Sequence, residues 1–324
     1  MGAPLIAVAD SPFPNLKPAE AVLSELDAKM VVADDATPEG ILKVARQADG
    51  LMVTYGKITA EVIAGLERCR VIGRMGLGVD NIDIEAATKR GIAVVYVPDY
   101  CVDEVSDHAM ALLLDLARKI SFSNRLVQGG RWEMPAVTPL LRLRGRTLGL
   151  AGFGRIPRAV APKAQAFGLK VVAYDPYVDK ATAAAMDVEI VDFETLLKTS
   201  DYISVHVPMM PETKNLFGAE AFGRMKPEAL LVNTARGPLV DVDALAKALD
   251  AGQIAGAALD VMPVEPPPAD SPLLGRDNVI LTPHTGFYSV EALDELQTKA
   301  ARGVADVLSG KKPTYPVNPS VLES

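Results

Sequence analysis

The sequence predicts an α/β protein with two doubly wound domains, each built on a parallel sheet. Short apolar runs alternate with helix-like segments from Leu5 to Val97, and the same alternation starts again at Thr147. The chain has 324 residues, too long for one ordinary core and suited to two domains. Alternating strands and helices are typical of parallel sheets that helices cover on both faces.

The first part of the chain carries five strand-like runs separated by helix-like segments. The runs are "LIAVAD", "MVVADD", "GLMVTYG", "RVIGRMG" and "IAVVYV". One long helix, "VDEVSDHAMALLLDLARKI" (Val102 to Ile120), is predicted to follow. Its most apolar part, "AMALLLDLARKI" (Ala109 to Ile120), is too short and too charged to span a membrane, and we expect the helix to connect the two domains. Its apolar stretch needs a partner surface, which a homodimer would supply.

The second part repeats the alternation. Its strand-like runs are "TLGLAGFG", "LKVVAYDP", "DYISVHVP", "ALLVNTARG", "GAALDVMP" and "NVILTPH". After Tyr288 a helix, "SVEALDELQTKAARGVADVLSG", is long enough to return across the first domain. We therefore expect residues 1–100 plus 289–324 to form one domain and residues 101–288 the other.

Composition excludes several classes of function. Hydrophobic residues make up 49% of the chain and charged residues 23%, which is typical of a folded globular protein. A formal charge of -8 disfavours nucleic acid and acidic membranes as partners. Cys69 and Cys101 give neither a disulfide framework nor a metal-ligand spacing, so no metal is expected. We expect reduced thiols and a cytoplasmic location, because the amino terminus lacks a signal-peptide pattern.

A glycine-rich turn between strand and helix predicts a dinucleotide site. Gly152 and Gly154 follow the strand "TLGLA", and Asp175 ends the next strand, 21 residues after Gly154. In a Rossmann βαβ unit, such glycines allow the tight turn and the approach of backbone N–H groups to the pyrophosphate. The acidic residue accepts a hydrogen bond from the adenine ribose. Asp175 also repels a 2'-phosphate, and Pro176 and Tyr177 add no positive charge, so NAD is favoured over NADP.

Two prolines depart from this fingerprint. Pro157 stands where a third small residue is usual, but a proline in the first turn of a helix is tolerated. Pro162 lies deeper and removes a helical hydrogen bond, at a cost of ~3 kcal/mol at an interior position. We therefore expect a kinked or interrupted helix at Pro162.

Three polar residues follow strand-like runs in the second domain, where ligands of open α/β sheets bind. They are Arg236 after "LLVNTA", Glu265 after "AALDVMPV" and His284 after "VILTP". Together they supply what hydride transfer on a 2-hydroxy acid requires. Histidine can exchange the hydroxyl proton, arginine can bind the carboxylate with two bonds, and a carboxylate can orient the histidine.

Long motifs resemble the D-isomer-specific 2-hydroxyacid dehydrogenases, which include phosphoglycerate dehydrogenases, glyoxylate and hydroxypyruvate reductases, and the C-terminal-binding co-repressors. The motifs are "GRMGLGVDNIDIEAATKRGIAV", "GFGRI", "AYDPY", "VNTARGPLVDVDALAKALDAGQIAGAALDV", "EP" and "LTPH". The resemblance covers essentially the whole chain. It implies a flavodoxin-like substrate domain, a Rossmann NAD domain and a homodimer.

The resemblance also implies roles for individual residues. Arg236 binds the substrate carboxylate, His284 is the acid–base group, and Glu265 orients His284. The NAD-binding set is Gly152, Gly154, Arg155, Ile156, Asp175, Val207, Pro208, Thr234, Ala235, Asp260 and Gly286. Substrate contacts come from Tyr55, Leu77, Gly78, Val79 and Arg236, whereas His108 and His206 are expected to be structural.

The expected function is NAD-dependent interconversion of a small 2-oxo acid and its D-2-hydroxy acid. The alternative is an NAD(H)-sensing binding protein of the co-repressor type, to which "FYS" after Gly286 and the segment "RLRGRTLGL" point. A methyltransferase would share the glycine loop and the acid at the strand end, but it leaves Arg236, Glu265 and His284 unexplained. The residues do not identify the substrate side chain at C2.

Overall fold

A computed structural model describes residues 2–323 and divides them into two compact units. Unit 1 contains the chain up to Tyr100 and again from Ser289, and unit 2 runs from Cys101 to Tyr288. Each unit is built on one parallel sheet covered by helices. This confirms the predicted fold class.

Unit 1 contains a five-stranded sheet of order β2-β1-β3-β4-β5, which is the flavodoxin-like order. Its strands are β1 (Leu5–Val8), β2 (Lys29–Val32), β3 (Gly50–Val53), β4 (Val71–Arg74) and β5 (Ala93–Val95). The helices between them are α1 (Lys17–Leu23), α2 (Pro38–Ala45), α3 (Ala60–Gly65) and α4 (Ile84–Lys89). Strands β3, β4 and β5 are buried at every residue, because helices lie on both faces.

Unit 2 contains a seven-stranded parallel sheet of order β12-β11-β10-β9-β6-β7-β8. Its strands are β6 (Thr147–Ala151), β7 (Lys170–Tyr174), β8 (Glu189–Ile190), β9 (Tyr202–Val205), β10 (Leu230–Asn233), β11 (Gly256–Leu259) and β12 (Val279–Leu281). Its helices are α5 (Val102–Arg118), α6 (Ile120–Gln128), α7 (Arg155–Ala166), α8 (Lys180–Ala184), α9 (Phe193–Thr199), α10 (Ala219–Arg224) and α11 (Val242–Asp250). The order reverses between β6 and β9, which is the Rossmann switch point.

The two faces of the unit 2 sheet bury separate cores. Helices α9, α10 and α11 supply Leu196, Phe222 and Leu245 to one core, and all three are fully buried. Helices α5 and α7 supply Leu113 and Val160 to the other, so the apolar stretch of α5 is covered within unit 2, and the expectation that it needs a partner surface is wrong. Because both cores press on the sheet, the loops at the carboxyl ends of its strands have a rigid base.

The long helix predicted from Val102 to Ile120 ends two residues early. Helix α5 stops at Arg118, and Lys119 adopts a left-handed conformation with φ of 52°. Helix α6 begins directly afterwards. Asp115 causes this new start, since its carboxylate accepts hydrogen bonds from the backbone N–H and the hydroxyl of Ser121.

The sequence predicts a kink or an interruption of the helix at Pro162, and the interruption is wrong. Helix α7 runs continuously from Arg155 to Ala166 with Pro162 inside it. Pro157 lies in the first turn, as expected, and is buried. Pro162 is exposed, so water can reach the Arg158 carbonyl that has lost its helical donor. The buried Val160, Ala161 and Ala164 hold the opposite face of the helix in the core.

The last helix, α12 (Val290–Leu308), completes unit 1 by packing against β3, β4 and β5. Ser289 caps it by accepting a hydrogen bond from the Ala292 N–H. A β-carbon at Gly73 would lie 2.6 Å from Val304, so the absence of a side chain in β4 lets α12 approach the sheet. Among residues 2–323, no helix combines the length and apolar character needed to cross a bilayer.

Candidate active site

The turn after β6 has the geometry of a dinucleotide-binding loop. Gly152 has φ of 102°, and a β-carbon there would lie 2.9 Å from the carbonyl carbon and oxygen of His206. Only glycine fits this conformation and this approach. Gly154 caps α7, and a β-carbon at Gly154 would have no heavy atom within 4 Å. The first N–H groups of α7, from Arg155 and Ile156, therefore begin at an open turn that suits a phosphate.

Asp175 connects the end of β7 to this turn. Its Oδ2 accepts a hydrogen bond of 2.8 Å from the Phe153 N–H. Its Oδ1 accepts from the N–H groups of Tyr177 at 2.9 Å and Val178 at 3.2 Å. The carboxylate is therefore fixed, and Oδ2, which accepts only from the Phe153 N–H, has a lone pair left for a ribose hydroxyl.

The other residues of the predicted cofactor set in unit 2 lie at the carboxyl ends of neighbouring strands. Val207 and Pro208 follow β9, with Val207 buried and Pro208 exposed. His206 beside them has a pKa lowered to about 3 by burial, and its Nε2 lies 2.8 Å from the Ser204 hydroxyl. His206 is therefore uncharged near neutral pH, and its structural role stays a prediction.

Arg236 lies in a loop that Asn233 organises. The Asn233 side chain accepts a hydrogen bond of 3.0 Å from the Ala235 N–H and donates one of 2.8 Å to the Arg236 carbonyl. Asn233 is fully buried at the end of β10. Within residues 2–323 the buried hydroxyl of Thr234 has no hydrogen-bond partner, so this loop holds a polar group suited to a ligand.

Gly237 brings the Arg236 loop against the loop that carries Glu265. A β-carbon at Gly237 would lie 2.0 Å from the carbonyl carbon of Met262. The Met262 N–H in turn donates a hydrogen bond of 2.9 Å to Oε1 of Glu265. Because Gly237 has no side chain, the backbones that carry Arg236 and Glu265 can be in contact.

Glu265 and His284 form a hydrogen-bonded pair. Oε2 of Glu265 lies 2.8 Å from Nδ1 of His284, and the two side chains are 39% and 27% exposed. Burial alone would raise the pKa of Glu265, but the hydrogen bonds from His284 and the Met262 N–H outweigh it and lower the pKa. Glu265 is therefore ionised near neutral pH, and because a carboxylate only accepts, the hydrogen of this bond lies on Nδ1 of His284.

The His284 loop has an unusual backbone that Asp260 supports. His284 has φ of 54°, a left-handed conformation that is uncommon outside glycine. Its N–H donates to the Asp260 carbonyl at 2.8 Å. The Asp260 carboxylate accepts from the N–H groups of Thr285 at 2.9 Å and Gly286 at 2.8 Å. Asp260 thus fixes three consecutive residues of the loop.

Apart from Arg236, the residues predicted to contact substrate lie in two loops of unit 1. Tyr55 lies in the first, after β3, where the Asp10 carboxylate accepts hydrogen bonds from three consecutive N–H groups. They come from Thr54 at 2.9 Å, Tyr55 at 2.7 Å and Gly56 at 3.2 Å. Asn81 holds the other side of this loop by donating to the Thr54 and Gly56 carbonyls.

Leu77, Gly78 and Val79 form the second loop, after β4, and are partly buried. Arg74 is only 8% exposed, and its Nε lies 3.3 Å from Oδ1 of Asn81. A β-carbon at Gly76 would lie 1.6 Å from the Arg74 guanidinium. Arg74 thus packs over this loop and braces it together with Asn81.

Sequence reasoning missed four residues that organise these loops. Asp10, Asn81, Asn233 and Gly237 make the contacts described above, yet none was predicted as a site residue. Asp10 and Asn233 could have been found, because each is a polar residue at the end of an apolar strand, as Asp175 is. The signal for Asn81 and Gly237 is weaker, because their contacts depend on loop geometry.

The family assignment follows from comparison with known proteins. Residues 110–286 match the model of the D-isomer specific 2-hydroxyacid dehydrogenase NAD binding domain. A glyoxylate reductase of Thermococcus litoralis is 40% identical over 297 residues, which cover 89% of each protein. The chain belongs to the D-isomer-specific 2-hydroxyacid dehydrogenase family, and the predicted resemblance and NAD-binding fold are confirmed.

Other relatives differ in length. A D-3-phosphoglycerate dehydrogenase of Methanocaldococcus jannaschii is 44% identical over 289 residues, which cover 89% of this chain and 55% of the relative. The chain thus spans about half the length of such phosphoglycerate dehydrogenases. A solved D-lactate dehydrogenase of Aquifex aeolicus, complexed with NAD and lactic acid, is 28% identical with a TM-score of 0.88, covering 97% of this chain and 99% of that one.

Proposed function

We propose that this protein is an NAD-dependent oxidoreductase that interconverts a small 2-oxo acid and its D-2-hydroxy acid. The observation that carries the proposal is the hydrogen bond of 2.8 Å between Glu265 and Nδ1 of His284. An imidazole held by a carboxylate in this way has a fixed orientation and is suited to acid–base work. The relatives named as glyoxylate reductase and D-lactate dehydrogenase support the same class of reaction.

In the direction of reduction, each residue has a separate task. Arg236 binds the substrate carboxylate with its planar guanidinium. His284 donates a proton from Nε2 to the carbonyl oxygen, because Nδ1 is bonded to Glu265. The ionised Glu265 stabilises the protonated imidazole before the transfer. Reduced nicotinamide, when bound, supplies the hydride for C2.

The residues of unit 2 fit NAD. The left-handed Gly152, the open Gly154 cap and the first turn of α7 suit the pyrophosphate, with Arg155 and Ile156 contributing backbone N–H groups. Val207 and Pro208 are proposed to flank the adenosine. The buried Thr234 hydroxyl is proposed to lie on the nicotinamide side, together with Ala235, Asp260 and Gly286.

The substrate contacts in unit 1 are proposed from the two braced loops. Tyr55 lies in the loop that Asp10 fixes, and Leu77, Gly78 and Val79 lie in the loop beneath Arg74. Rigid loops suit a small substrate, because binding then requires little ordering of the protein. The Arg74 guanidinium already donates a hydrogen bond to Asn81 within unit 1. Arg74 is therefore no argument for a phosphorylated substrate.

The direct test is NADH oxidation with glyoxylate, hydroxypyruvate, pyruvate, phenylpyruvate and phosphohydroxypyruvate. We expect at least one of the small acids to be reduced to its D-2-hydroxy acid, identified by chiral chromatography. If none is turned over, the proposal fails. Tight NADH binding without turnover would instead favour the NAD(H)-sensing binding protein.

Asp175 is expected to select NAD. In Asp175→Ala the ribose loses an acceptor and a 2'-phosphate no longer meets a carboxylate, so the preference for NADH over NADPH should fall about tenfold or more. The measurement is kcat/KM with each nucleotide. Asp179→Ala removes a nearby carboxylate that caps α8, and it should leave the preference unchanged. An unchanged ratio in Asp175→Ala contradicts the assignment.

We also propose a homodimer. Trp132 and Met134 are 86% and 72% exposed, and Ile120 and Val127 of α6 are 57% and 46% exposed. Apolar surface of this kind is typical of an interaction site, and a second copy would cover it. Light scattering should give twice 34.4 kDa, and Trp132→Glu should shift the mass toward 34.4 kDa. A native mass of one chain overturns the proposal.

Cys69 and Cys101 are buried thiols that are not joined in a disulfide, and burial raises the pKa of the Cys69 thiol to about 12. A thiol of this kind is inert toward disulfide exchange. These thiols suit a reducing compartment, and we propose the cytoplasm, which cell fractionation would test.

A further inference from the structure

A histidine outside the proposed catalytic pair lies beneath the His284 loop. His108 is on helix α5, and its Nε2 is 3.0 Å from the Thr282 hydroxyl and 3.4 Å from Oδ1 of Asp260. Thr282 is 174 residues away along the chain. This contact joins α5 to the segment that carries the proposed acid–base group.

The available donors and acceptors determine the direction of the hydrogen bonds that link His108, Thr282 and Asp260. The Thr282 hydroxyl is 2.6 Å from Oδ1 of Asp260 and must donate to it, since an ionised carboxylate only accepts. Its oxygen then accepts from His108, so Nε2 of His108 carries the hydrogen. The order is His108 to Thr282 to Asp260, and hydrogen bonds in such a chain strengthen one another.

This series of hydrogen bonds ends at the Asp260 carboxylate, which shapes the His284 loop. Burial alone would raise the pKa of Asp260, but hydrogen bonds from His108, Thr282 and the loop N–H groups outweigh it and lower the pKa to about 2. Asp260 is only 3% exposed. It is therefore a buried anion near neutral pH, and its position depends on the donors around it.

The space around Gly286 shows that the His108 ring packs closely against the His284 loop. A β-carbon at Gly286 would lie 2.8 Å from Oδ2 of Asp260 and 3.2 Å from Cδ2 of His108. The loop can close on both groups only because this residue has no side chain. A displacement of the His108 ring would therefore reach the loop directly.

We propose that His108 is a positioning residue, which holds the Asp260 carboxylate through Thr282 and thereby sets the place of His284. It touches neither of the two proposed acid–base partners in the described contacts of its ring. Its effect is transmitted through Thr282 and Asp260. The kinetic part of this inference rests on the proposed function, whereas the tautomer of His108 does not.

A double-mutant cycle tests the transmission. His108→Phe and Thr282→Val each break the chain while keeping the shape of the side chain. Each should lower kcat about tenfold, because a misplaced catalytic group costs up to about 100-fold. The double variant should be no more than about twofold slower than the slower single variant. Losses that multiply to about 100-fold overturn the proposal.

Two further variants separate positioning from general damage. His108→Gln keeps an N–H donor and should recover most of the lost kcat, whereas a general packing defect would persist. Asp107→Asn, one residue earlier, removes an exposed pair with Lys163 and should behave as the native protein. No recovery in His108→Gln, with thermal stability equal to that of the native protein, counts against the proposal.

The tautomer gives a test that requires no turnover. The chain has three histidines, so ¹⁵N spectra of histidine-labelled protein are simple to assign with single variants. We expect His108 as the Nε2–H tautomer in the native protein, with a changed Nε2 shift in Thr282→Val. An Nδ1–H tautomer would overturn the inference even if the protein reduces 2-oxo acids. If no substrate is turned over but the Nε2–H tautomer is found, only the proposed function fails.

Discussion

Replacing His284 with asparagine should lower kcat for 2-oxo acid reduction by about 100-fold to 10,000-fold. Asparagine has no proton to donate near neutral pH. It is nevertheless the sharpest replacement, because His284 has φ of 54° and asparagine tolerates this left-handed conformation better than alanine does. The loop should therefore keep its backbone conformation while it loses the proton donor.

The measurements are kcat by NADH oxidation, the Kd for NADH by fluorescence and the melting temperature. The Kd should change less than about threefold and the melting temperature little, because the His284 side chain is partly exposed. His206→Asn serves as a control for the loss of a histidine without an acid–base task. Retention of more than about a tenth of the native kcat in His284→Asn would exclude His284 as the acid–base group.

The second large effect is expected in Glu265→Gln. The amide keeps the size of the side chain but removes the charge that favours a proton on His284. Because the pKa of Glu265 is lowered, the native carboxylate is charged throughout the neutral range. Reduction requires a protonated His284. As the pH is raised, the rate of reduction should therefore begin to fall at a lower pH in the variant than in the native protein. At neutral pH we expect a loss of kcat of about tenfold to 100-fold.

The direction of the pH effect is the decisive result. Oxidation of the D-2-hydroxy acid requires an unprotonated His284. As the pH is raised, the rate of oxidation should therefore begin to rise at a lower pH in Glu265→Gln than in the native protein. The pH profiles of kcat in both directions test this, with Glu295→Gln on helix α12 as the control for the loss of an exposed carboxylate. Profiles that do not move, or that move to higher pH, contradict the proposed role of Glu265.

The fold class was predictable because its signals are local. Apolar runs mark strands buried on both faces, and the turn and acid of the Rossmann unit lie within one βαβ segment. Pro162 shows the limit of such local reasoning. The cost of a proline depends on which face of the helix it occupies, and on α7 it lies on the exposed face.

The contacts that shape the loops were not predictable, because they join distant parts of the chain. Asp10 reaches N–H groups 44 to 46 residues away, and His108 reaches Thr282 across 174 residues. The sequence predicts only a structural role for His108, because a lone histidine on a helix gives no sign of its partner. The Glu265 and His284 roles came from chemistry and resemblance, while the left-handed φ of His284 has no sequence signal.

The division of unit 1 between the two ends of the chain has a consequence for biosynthesis. Helix α12 covers β3, β4 and β5, and the N–H of Val94 in β5 donates to the side chain of Asn318. On the ribosome these strands emerge first but lack this cover until Val290–Leu308 has been made. Unit 2 is contiguous and can fold beforehand, so the amino-terminal sheet is completed second. During that interval its uncovered strands are the segment that chaperones would be expected to protect.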